Sequence, residues 1–180
     1  MDENWLVETV DADGRPCGAA PVEQVHRAPG VLHRAVSVVI VDDRGHLLLQ
    51  RRSASKPTFA SRWDVACSGH PLPGQAPSKA AAVRVYEELG LTAVVAEPVG
   101  CLRHRMRDPA GGRVEYVFHH LYLAALGRPV QVAVDPLEVD EVRWVVAADA
   151  LPLAAGRPRA FTPWFIKAVT ATFAAAVLLG

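Results

Sequence analysis

Three of the seven histidines stand beside the ends of predicted elements, where side chains from separate loops can converge. His26 and His33 lie seven residues apart and flank Pro29-Gly30, and His70 opens the loop that leads into a predicted helix. Imidazoles from separate loops bind Zn, Mn or Fe when a carboxylate completes the set, and Glu115 is the candidate carboxylate. These residues predict a divalent metal site, with packed or solvated histidines as the alternative.

A second signal lies in residues 69–91, where the spacing follows the Nudix box, G-x5-E-x7-R-E-U-x-E-E-x-G-U, counted from Gly69. The matching positions hold Glu87, Glu88, Gly90 and Leu91, whereas Gln75, Val83 and Arg84 replace a glutamate, an arginine and a glutamate. Hard carboxylate oxygens suit Mg²⁺. Arg84 and Glu88 are four residues apart and share a helix face, which favours diphosphate binding over water activation. An ordinary salt bridge between the two is the alternative.

Four further stretches resemble one family when they are taken together. They are residues 32–35, residues 47–53, residues 68–74 and the segment Phe161-Thr162-Pro163-Trp164, and Ser55-Lys56, Thr58-Phe59 and Trp63 add to them. The combination resembles type I isopentenyl-diphosphate isomerase, and the resemblance covers residues 5–167. It implies an α+β, Nudix-like fold, with a mixed β-sheet flanked by helices, and a short isoprenoid diphosphate as the small-molecule partner.

The resemblance also implies a set of binding residues. It implies a metal, Mn²⁺ or Zn²⁺ among others, at His26, His33, His70 and Glu115. It implies Mg²⁺ at Glu88, bridging the diphosphate, and phosphate contacts from Arg52, Lys56 and Arg84. Trp164 falls where an aromatic face stabilises a carbocation, an interaction of about 0.5 to 2 kcal/mol.

Three positions depart from the residues that the family uses for proton transfer. The catalytic cysteine is replaced by Ser68, the essential glutamate by Val117, and a supporting tyrosine, at or near its place, by His104. A hydroxyl is a far weaker acid than a thiol, and valine transfers no proton. The usual isomerase relay is therefore broken in this chain.

Strand parity suggests which groups could replace that relay. Neighbours on a strand point to opposite faces, so Cys67 reaches the pocket only if a bulge intervenes. A period of two places Asp64 on the face of Ser68, and His119 on the face of Glu115. The alternative for His119 is a packed strand residue. The candidate catalytic residues are Ser68, Cys67, His104, His119, Asp64 and Trp164.

These residues support four hypotheses about function. The first is a metal-dependent enzyme that performs carbocation chemistry, either isomerisation or ionisation and cyclisation of a prenyl diphosphate, with an altered proton relay. The second is a residual isomerase that converts isopentenyl to dimethylallyl diphosphate. A Nudix pyrophosphohydrolase is disfavoured because Gln75 and Arg84 replace carboxylates. A non-catalytic diphosphate-binding module is the fourth.

Several predicted elements position these side chains. Alternating or β-branched runs predict strands over residues 5–10, 38–41, 46–50, 62–68, 92–103, 113–126 and 139–146. Asp-rich or Gly-rich turns are expected at residues 11–14, 42–45 and 108–112. A helix is predicted from Pro77 to Leu89, with Ser78 as its N-cap and Gly90 as its left-handed terminus. The last helix is expected to begin near Thr162-Pro163, with Thr162 as its cap.

Composition narrows the classes of function. Nineteen Lys and Arg residues balance nineteen Asp and Glu residues, so no basic face for nucleic acid or anionic lipid is expected. A length of 180 residues predicts one domain, residues 1–180. Three cysteines without C-x-x-C spacing predict neither a disulfide framework nor a thiolate metal site, and they suit a cytoplasmic location.

We expect neither a targeting segment in residues 1–4 nor a membrane segment in residues 168–180. Residues 1–4, Met-Asp-Glu-Asn, are acidic and polar where a secretory signal would be basic and then apolar. Residues 168–180 are apolar, but a run of 13 is shorter than the roughly 20 residues that span a bilayer. We expect them to be the packed end of a helix. Without a heptad pattern, a monomer is the expected state.

Overall fold

The computed structural model describes residues 5–128 and 130–179, which form one mixed sheet flanked by helices. The strands are β1 (Leu6–Val10), β2 (Pro16–Pro21), β3 (His33–Asp42), β4 (His46–Arg52), β5 (Trp63–Asp64), β6 (Cys67–Gly69), β7 (Glu97–Arg107), β8 (Val114–Leu126) and β9 (Val139–Val146). The helices are α1 (Val22–His26), α2 (Pro77–Leu89), α3 (Ala147–Gly156) and α4 (Phe165–Leu179), with a 3₁₀ turn at Pro158–Ala160. The predicted α+β class is confirmed.

Strand β3 is the centre of the sheet. It pairs parallel with β8 and antiparallel with β1, β4 and β6, and all of its residues except Val41 are buried. Because successive side chains point to opposite faces, β3 contributes to two apolar clusters. One contains Val36, Val38 and Ile40 with Val85 and Leu89 of α2. The other contains Val39 with Phe165 and Val169 of α4. Both faces of β3 are thus covered by helices.

Helix α2 has the predicted bounds but a different N-terminus. Gly90 has φ of 65° and its N–H donates to the carbonyl of Tyr86, so the predicted left-handed terminus is confirmed. The N-cap residue is Ala76, and Pro77 occupies the first turn, where its missing N–H needs no partner. Ser78 therefore lies inside the helix, and its prediction as the cap is wrong.

Other predicted boundaries differ from the structure for identifiable reasons. The predicted strand over residues 62–68 is divided into β5 and β6 by a bend at residues 65–66. Strand β7 begins at Glu97, later than predicted, and follows β8 in register to the turn that begins at Asp108. Thr162 does not cap α4, because its hydroxyl donates to Asp64 Oδ1 at 2.9 Å. Helices α1 and α3 were not predicted.

The C-terminal helix packs along the sheet as expected. Ala168, Val169 and Thr172 are buried, which confirms the expectation for this part of residues 168–180. The side chains of residues 177–179, and Gly180, lie outside the described part of the chain. Within residues 5–128 and 130–179, the structure contains no helix with the length and apolar character that crossing a membrane requires. All three cysteines are free thiols, as predicted.

Candidate active site

A cavity of about 340 Å³ lies where the sheet meets the loop between β4 and β5. Its volume is in the range of small-molecule sites, about 300 to 1,000 Å³. Side chains from β3, β6, β7 and β8 line it together with loop residues and Trp164. The predicted residues that line it are His26, His70, Glu115, Arg52, Lys56, Arg84, Ser68, His104, His119 and Trp164.

The four predicted metal ligands form one cluster. The ligand atoms of His26, His33, His70 and Glu115 all lie within 4.8 Å of one another. His26 comes from α1, His33 from the start of β3, His70 from the end of β6, and Glu115 from the start of β8. The parallel pairing of β3 with β8 brings His33 and Glu115 together, because His33 is in register with Val117, two residues from Glu115.

Main-chain carbonyls orient all three imidazoles in the same way. The Nδ1 atoms of His26, His33 and His70 lie 2.7, 2.7 and 3.1 Å from the carbonyl oxygens of Val22, Val31 and Arg34. Each Nδ1 therefore carries a proton, which leaves Nε2 as the ring atom that can bind a metal. Within the described part of the chain, the buried His33 Nε2 has no hydrogen-bond partner. This is the arrangement in which outer hydrogen bonds fix metal-binding histidines, so the residues fit a divalent cation.

Electrostatics hold His33, His70 and Glu115 in the forms that bind a metal. Burial and the neighbouring His26 lower the pKa of His33 to about 4. Burial and His33 hold the pKa of His70 well below its ordinary value. Burial opposes ionisation of Glu115, but the surrounding histidines, first His26, hold its pKa well below the usual range. Burial also disfavours charge on His26, but the Glu115 carboxylate raises its pKa. A divalent cation held by these residues would take the place of the proton on His26.

A hydroxyl from the loop supports the cluster. Thr58 Oγ1 donates to Glu115 Oε1 at 2.8 Å, and the Thr58 side chain is buried. The next residue, Phe59, has φ of 48°, a conformation that side chains with a Cβ rarely adopt. Its N–H donates to Asp108 Oδ2 at 3.0 Å, which anchors the loop to the turn between β7 and β8. The loop is therefore held in one conformation over the metal ligands.

The three basic residues predicted to bind phosphate all line the cavity, and each has a partner in the structure. Arg52 donates to the carbonyl of Thr58 at 2.9 and 3.3 Å. Lys56 forms an ion pair with Glu138, and Arg84 Nη1 lies 3.3 Å from Glu87. The expected alternative, a pair between Arg84 and Glu88, is not formed among the described residues. Lys56 and Arg84 can exchange a carboxylate partner for a phosphate.

Glu88 belongs to the wall behind the cavity rather than to its lining. Its side chain is 2% exposed and accepts from Gln50 Nε2 at 3.1 Å. Burial raises the pKa of Glu88 to about 7, against the opposing charge of Lys56. Its Oε1 has no partner among residues 5–128 and 130–179. A buried oxygen without a partner suits a cation, and Mg²⁺ at Glu88 stays a prediction.

The inner wall carries the residues at the altered positions. Ser68 lines the cavity and its Oγ lies 2.5 Å from Ser37 Oγ. His104 is in register with Val117, so it lies beside that altered position. His119 is buried beside them, with ring centroids 5.3 Å from His104. The described residues offer no hydrogen-bond partner to either nitrogen of His119 or to Nδ1 of His104.

Two candidate catalytic residues lie outside the cavity. Cys67 is fully buried in the apolar cluster against α2, as its opposite strand face dictates, and burial raises the pKa of its thiol. Asp64 is also fully buried, and it is absent from the described residues that line the cavity. Its predicted placement beside Ser68 is wrong, because parity holds only along a continuous strand and the bend at residues 65–66 interrupts this one.

The sequence analysis missed several residues of the site. Thr58, Arg113, Leu137 and Glu138 line the cavity. Arg113 precedes Glu115 by two residues, so the parity that selected His119 could have found it as well. Thr58 and Glu138 belong to loops, whose contacts have no period in the sequence.

Solved structures with a similar fold support this description. The protein DR0079 from Deinococcus radiodurans matches with a TM-score of 0.76 and 18% identity, covering 93% of this chain and 99% of that one. A MutT protein from Methanosarcina mazei Go1 matches with a TM-score of 0.65 and 21% identity, covering 79% and 94% of the two chains. The expected Nudix-like fold is thus confirmed.

Sequence comparison is more specific. The model of the NUDIX domain family matches residues 31–165. An isopentenyl-diphosphate Delta-isomerase from Nocardia farcinica is 45% identical over 161 residues, 89% of this chain and 90% of the relative. Another protein of that name, from Streptomyces griseus, is 41% identical over 169 residues, 94% and 84% of the two chains. With its histidine and glutamate cluster on a Nudix fold, this chain belongs to the NUDIX family and, within it, to the family of isopentenyl-diphosphate Delta-isomerases.

Proposed function

We propose that this enzyme binds a short isoprenoid diphosphate in the cavity and performs carbocation chemistry that begins with departure of an allylic diphosphate. The names of the relatives support the substrate class. One observation carries the reaction: the cavity combines basic side chains and a metal-ligand cluster with an inner wall of Trp164, His104 and His119. Ser68 and Val117 occupy the positions where the family has its acid and its glutamate.

The binding half of the proposal assigns roles to charged residues. His26, His33, His70 and Glu115 would hold Mn²⁺ or Zn²⁺, and Glu88 would hold Mg²⁺ beside the diphosphate. Such cations, when bound, stabilise negative charge on oxygen. Lys56 and Arg84 would bind phosphate oxygens in place of Glu138 and Glu87, and the bidentate guanidinium of Arg84 favours this exchange.

The proton transfers that the inner wall can support determine the reaction that we propose. Protonation of an isolated double bond needs a strong acid, and Ser68, His104 and His119 offer none at neutral pH. Burial lowers the pKa of the two imidazoles to about 4 and about 3, so both are neutral and carry no acidic proton. Departure of an allylic diphosphate needs no such acid, only electrostatic stabilisation of the leaving oxygens. Loss of a proton from a carbocation needs only a weak base, which a neutral imidazole supplies.

Trp164 is the group that would face the cation. Its ring is 4% exposed, lines the cavity and stacks on His104 with centroids 5.8 Å apart and planes inclined by 12°. A cation over an indole face is stabilised by about 0.5 to 2 kcal/mol, more when water is excluded. His104 and His119 then stand beside the site of charge and can accept its proton.

A second candidate is residual isomerisation of isopentenyl to dimethylallyl diphosphate, which the printed names of the relatives favour. In that reaction one of the two hydroxyls of Ser37 and Ser68, which are joined by a short hydrogen bond, would have to supply the proton. Hydrolysis of the diphosphate and binding without turnover are the remaining alternatives, and neither uses the aromatic inner wall.

One assay separates these reactions. The purified protein is incubated in deuterated water, with Mg²⁺ and with Mn²⁺ or Zn²⁺, and with isopentenyl, dimethylallyl or geranyl diphosphate. Release of inorganic diphosphate together with a hydrocarbon or an alcohol from an allylic substrate is the expected result. Deuterium in an isomerised diphosphate identifies the second candidate, and a monophosphate identifies hydrolysis. Binding without turnover, or no binding, overturns the proposal. Enzyme treated with a chelator is the control.

A further inference from the structure

Asp64 is a buried carboxylate with three hydrogen-bond donors and one cation around it. It is fully buried on β5 and accepts hydrogen bonds from Val65 N–H at 2.9 Å and from Thr162 Oγ1 at 2.9 Å. The indole Nε1–H of Trp164 lies 3.0 Å from its Oδ1 and 3.1 Å from its Oδ2. Arg52 Nη1 is 4.0 Å from Oδ2. The carboxylate thus joins the sheet to the segment that precedes α4.

This arrangement favours an ionised Asp64. An ionised carboxylate is acceptor-only, and every group that contacts this one is a donor or a cation. Burial raises the pKa of Asp64 to about 6, whereas the charge of Arg52 and the hydrogen bonds lower it and favour the ionised form. An ionised carboxylate loses its hydration when it is buried. A buried charge at this position therefore indicates a role for Asp64.

The charge lies behind the ring that faces the cavity. Trp164 presents its indole to the cavity and turns its N–H to Asp64. Arg52 Cζ lies 5.9 Å from the ring centroid, so its positive charge opposes a cation on that indole. An anion hydrogen-bonded to the N–H has the opposite effect, because it shifts electron density into the ring and offsets the field of Arg52. The position of Asp64 is therefore suited to tuning the ring.

We propose that Asp64 is a positioning residue that fixes the indole of Trp164 and, through its negative charge, strengthens the affinity of that ring for a cation in the cavity. This inference rests on the proposed function, because it assumes that the ligand carries positive charge at its hydrocarbon end. It assigns to Asp64 a role that needs no contact with the substrate.

The test compares two unreactive ligands with wild type and with Asp64→Asn. Both ligands are diphosphate esters of short branched alcohols. One carries a tertiary ammonium where the cation would form, and the other has carbon at that atom. Metal and basic residues bind the diphosphate of both, so the ratio of the two affinities isolates the response to positive charge. We expect Asp64→Asn to lower the preference for the ammonium ligand by about 3- to 30-fold, with the affinity for the carbon ligand changed less than about 2-fold.

Three further variants separate charge from architecture. Asp64→Thr places an uncharged acceptor at the same position and should lower the preference as Asn does, which also covers failure of either variant to fold. Thr162→Val removes the other side-chain donor to Asp64 but retains the charge and the bond to Trp164, so the preference should be unchanged. In a Trp164→Phe background, Asp64→Asn should have less effect, since its route through the indole is gone.

The possible results distinguish this inference from the proposed function. If wild type binds neither diphosphate, or binds the two equally, the proposed function fails. If wild type prefers the ammonium ligand and both Asp64 variants keep that preference, the role of Asp64 is wrong and the proposed function stands. An undiminished effect of Asp64→Asn in the Trp164→Phe background would mean that the charge acts on the cation directly, which also overturns the inference.

Discussion

Thr58 provides a sensitive test of the metal cluster. Replacing Thr58 by Val removes one hydroxyl and keeps the branched shape of a buried side chain. The change deletes the 2.8 Å hydrogen bond from Thr58 Oγ1 to Glu115 Oε1 and alters no ligand atom. Any loss of metal affinity would therefore come from the orientation and charge of Glu115.

The size of the effect follows from the type of hydrogen bond. A bond to a charged acceptor contributes about 1.5 to 3 kcal/mol, and removal of an outer-shell partner of a metal ligand lowers metal affinity by about 10- to 100-fold. The Glu115 carboxylate retains its contact with His26 at 3.1 Å, so we expect the variant to bind metal rather than to lose the site.

Metal affinity is measured by competition with a chromophoric chelator, for Mn²⁺ and for Zn²⁺ separately. Thr172→Val is the matched control, because Thr172 is fully buried and its hydroxyl has no partner among the described residues. This control should bind metal as wild type does and should be at least as stable. Equal metal affinity of Thr58→Val and Thr172→Val would contradict a role of the Thr58 hydroxyl in the cluster.

Three further predictions follow from other parts of the site. Ser68→Cys combined with Val117→Glu should raise the rate of isopentenyl to dimethylallyl conversion by about 100-fold or more, measured by deuterium exchange, and no gain would mean that the cavity has diverged beyond these two positions. A Cβ on Gly69 would lie 2.8 Å from Arg84 Nε, so Gly69→Ala should weaken inorganic diphosphate binding by about 10-fold in titration calorimetry, whereas Gly127→Ala, with open space around it, should not. Because the pKa of His119 is lowered from 6.5 to about 3 by burial and by His104, unfolding takes up a proton in that range and stability falls as the pH is lowered from 6.5. His119→Gln should reduce that slope in urea unfolding of metal-free protein by up to about 1.4 kcal/mol per pH unit, and an unchanged slope would contradict the assigned pKa.

The sequence predicts an element correctly where residues within the element itself mark its ends or its period. Helix α2 was predicted with its observed bounds, because Pro77 begins it and a left-handed Gly90 ends it. Strand β9 was also predicted with its observed bounds. The five residues of α1 are too few to show a helical period, and Pro152 inside α3 obscures its pattern. The predicted start of β7 is wrong, because its pairing with β8 and not its own alternation decides where the strand begins.

The residues of the site also divide into those that the sequence predicts and those that depend on contacts between distant segments. The histidines, Glu115 and the basic residues were foreseen because a family resemblance fixes them by position in the chain. Thr58, Ser37 and Asp108 were not, since each acts through a contact between segments far apart in sequence, 57 residues apart for Thr58 and Glu115. Asp64 was selected by parity, and a two-residue bend moved it from the cavity to the far side of Trp164.

The use of main-chain carbonyls to aim the three imidazoles has a consequence for how this protein tolerates change. Carbonyl oxygens are supplied by every amino acid, so the residues that provide them can be exchanged without disturbing the donors. Substitutions at Val22 and Val31 therefore leave the orientation of the imidazoles unchanged, provided that the backbone conformation is kept. Side chains at such positions can therefore change widely while the imidazoles keep the orientation that their Nδ1 hydrogen bonds impose.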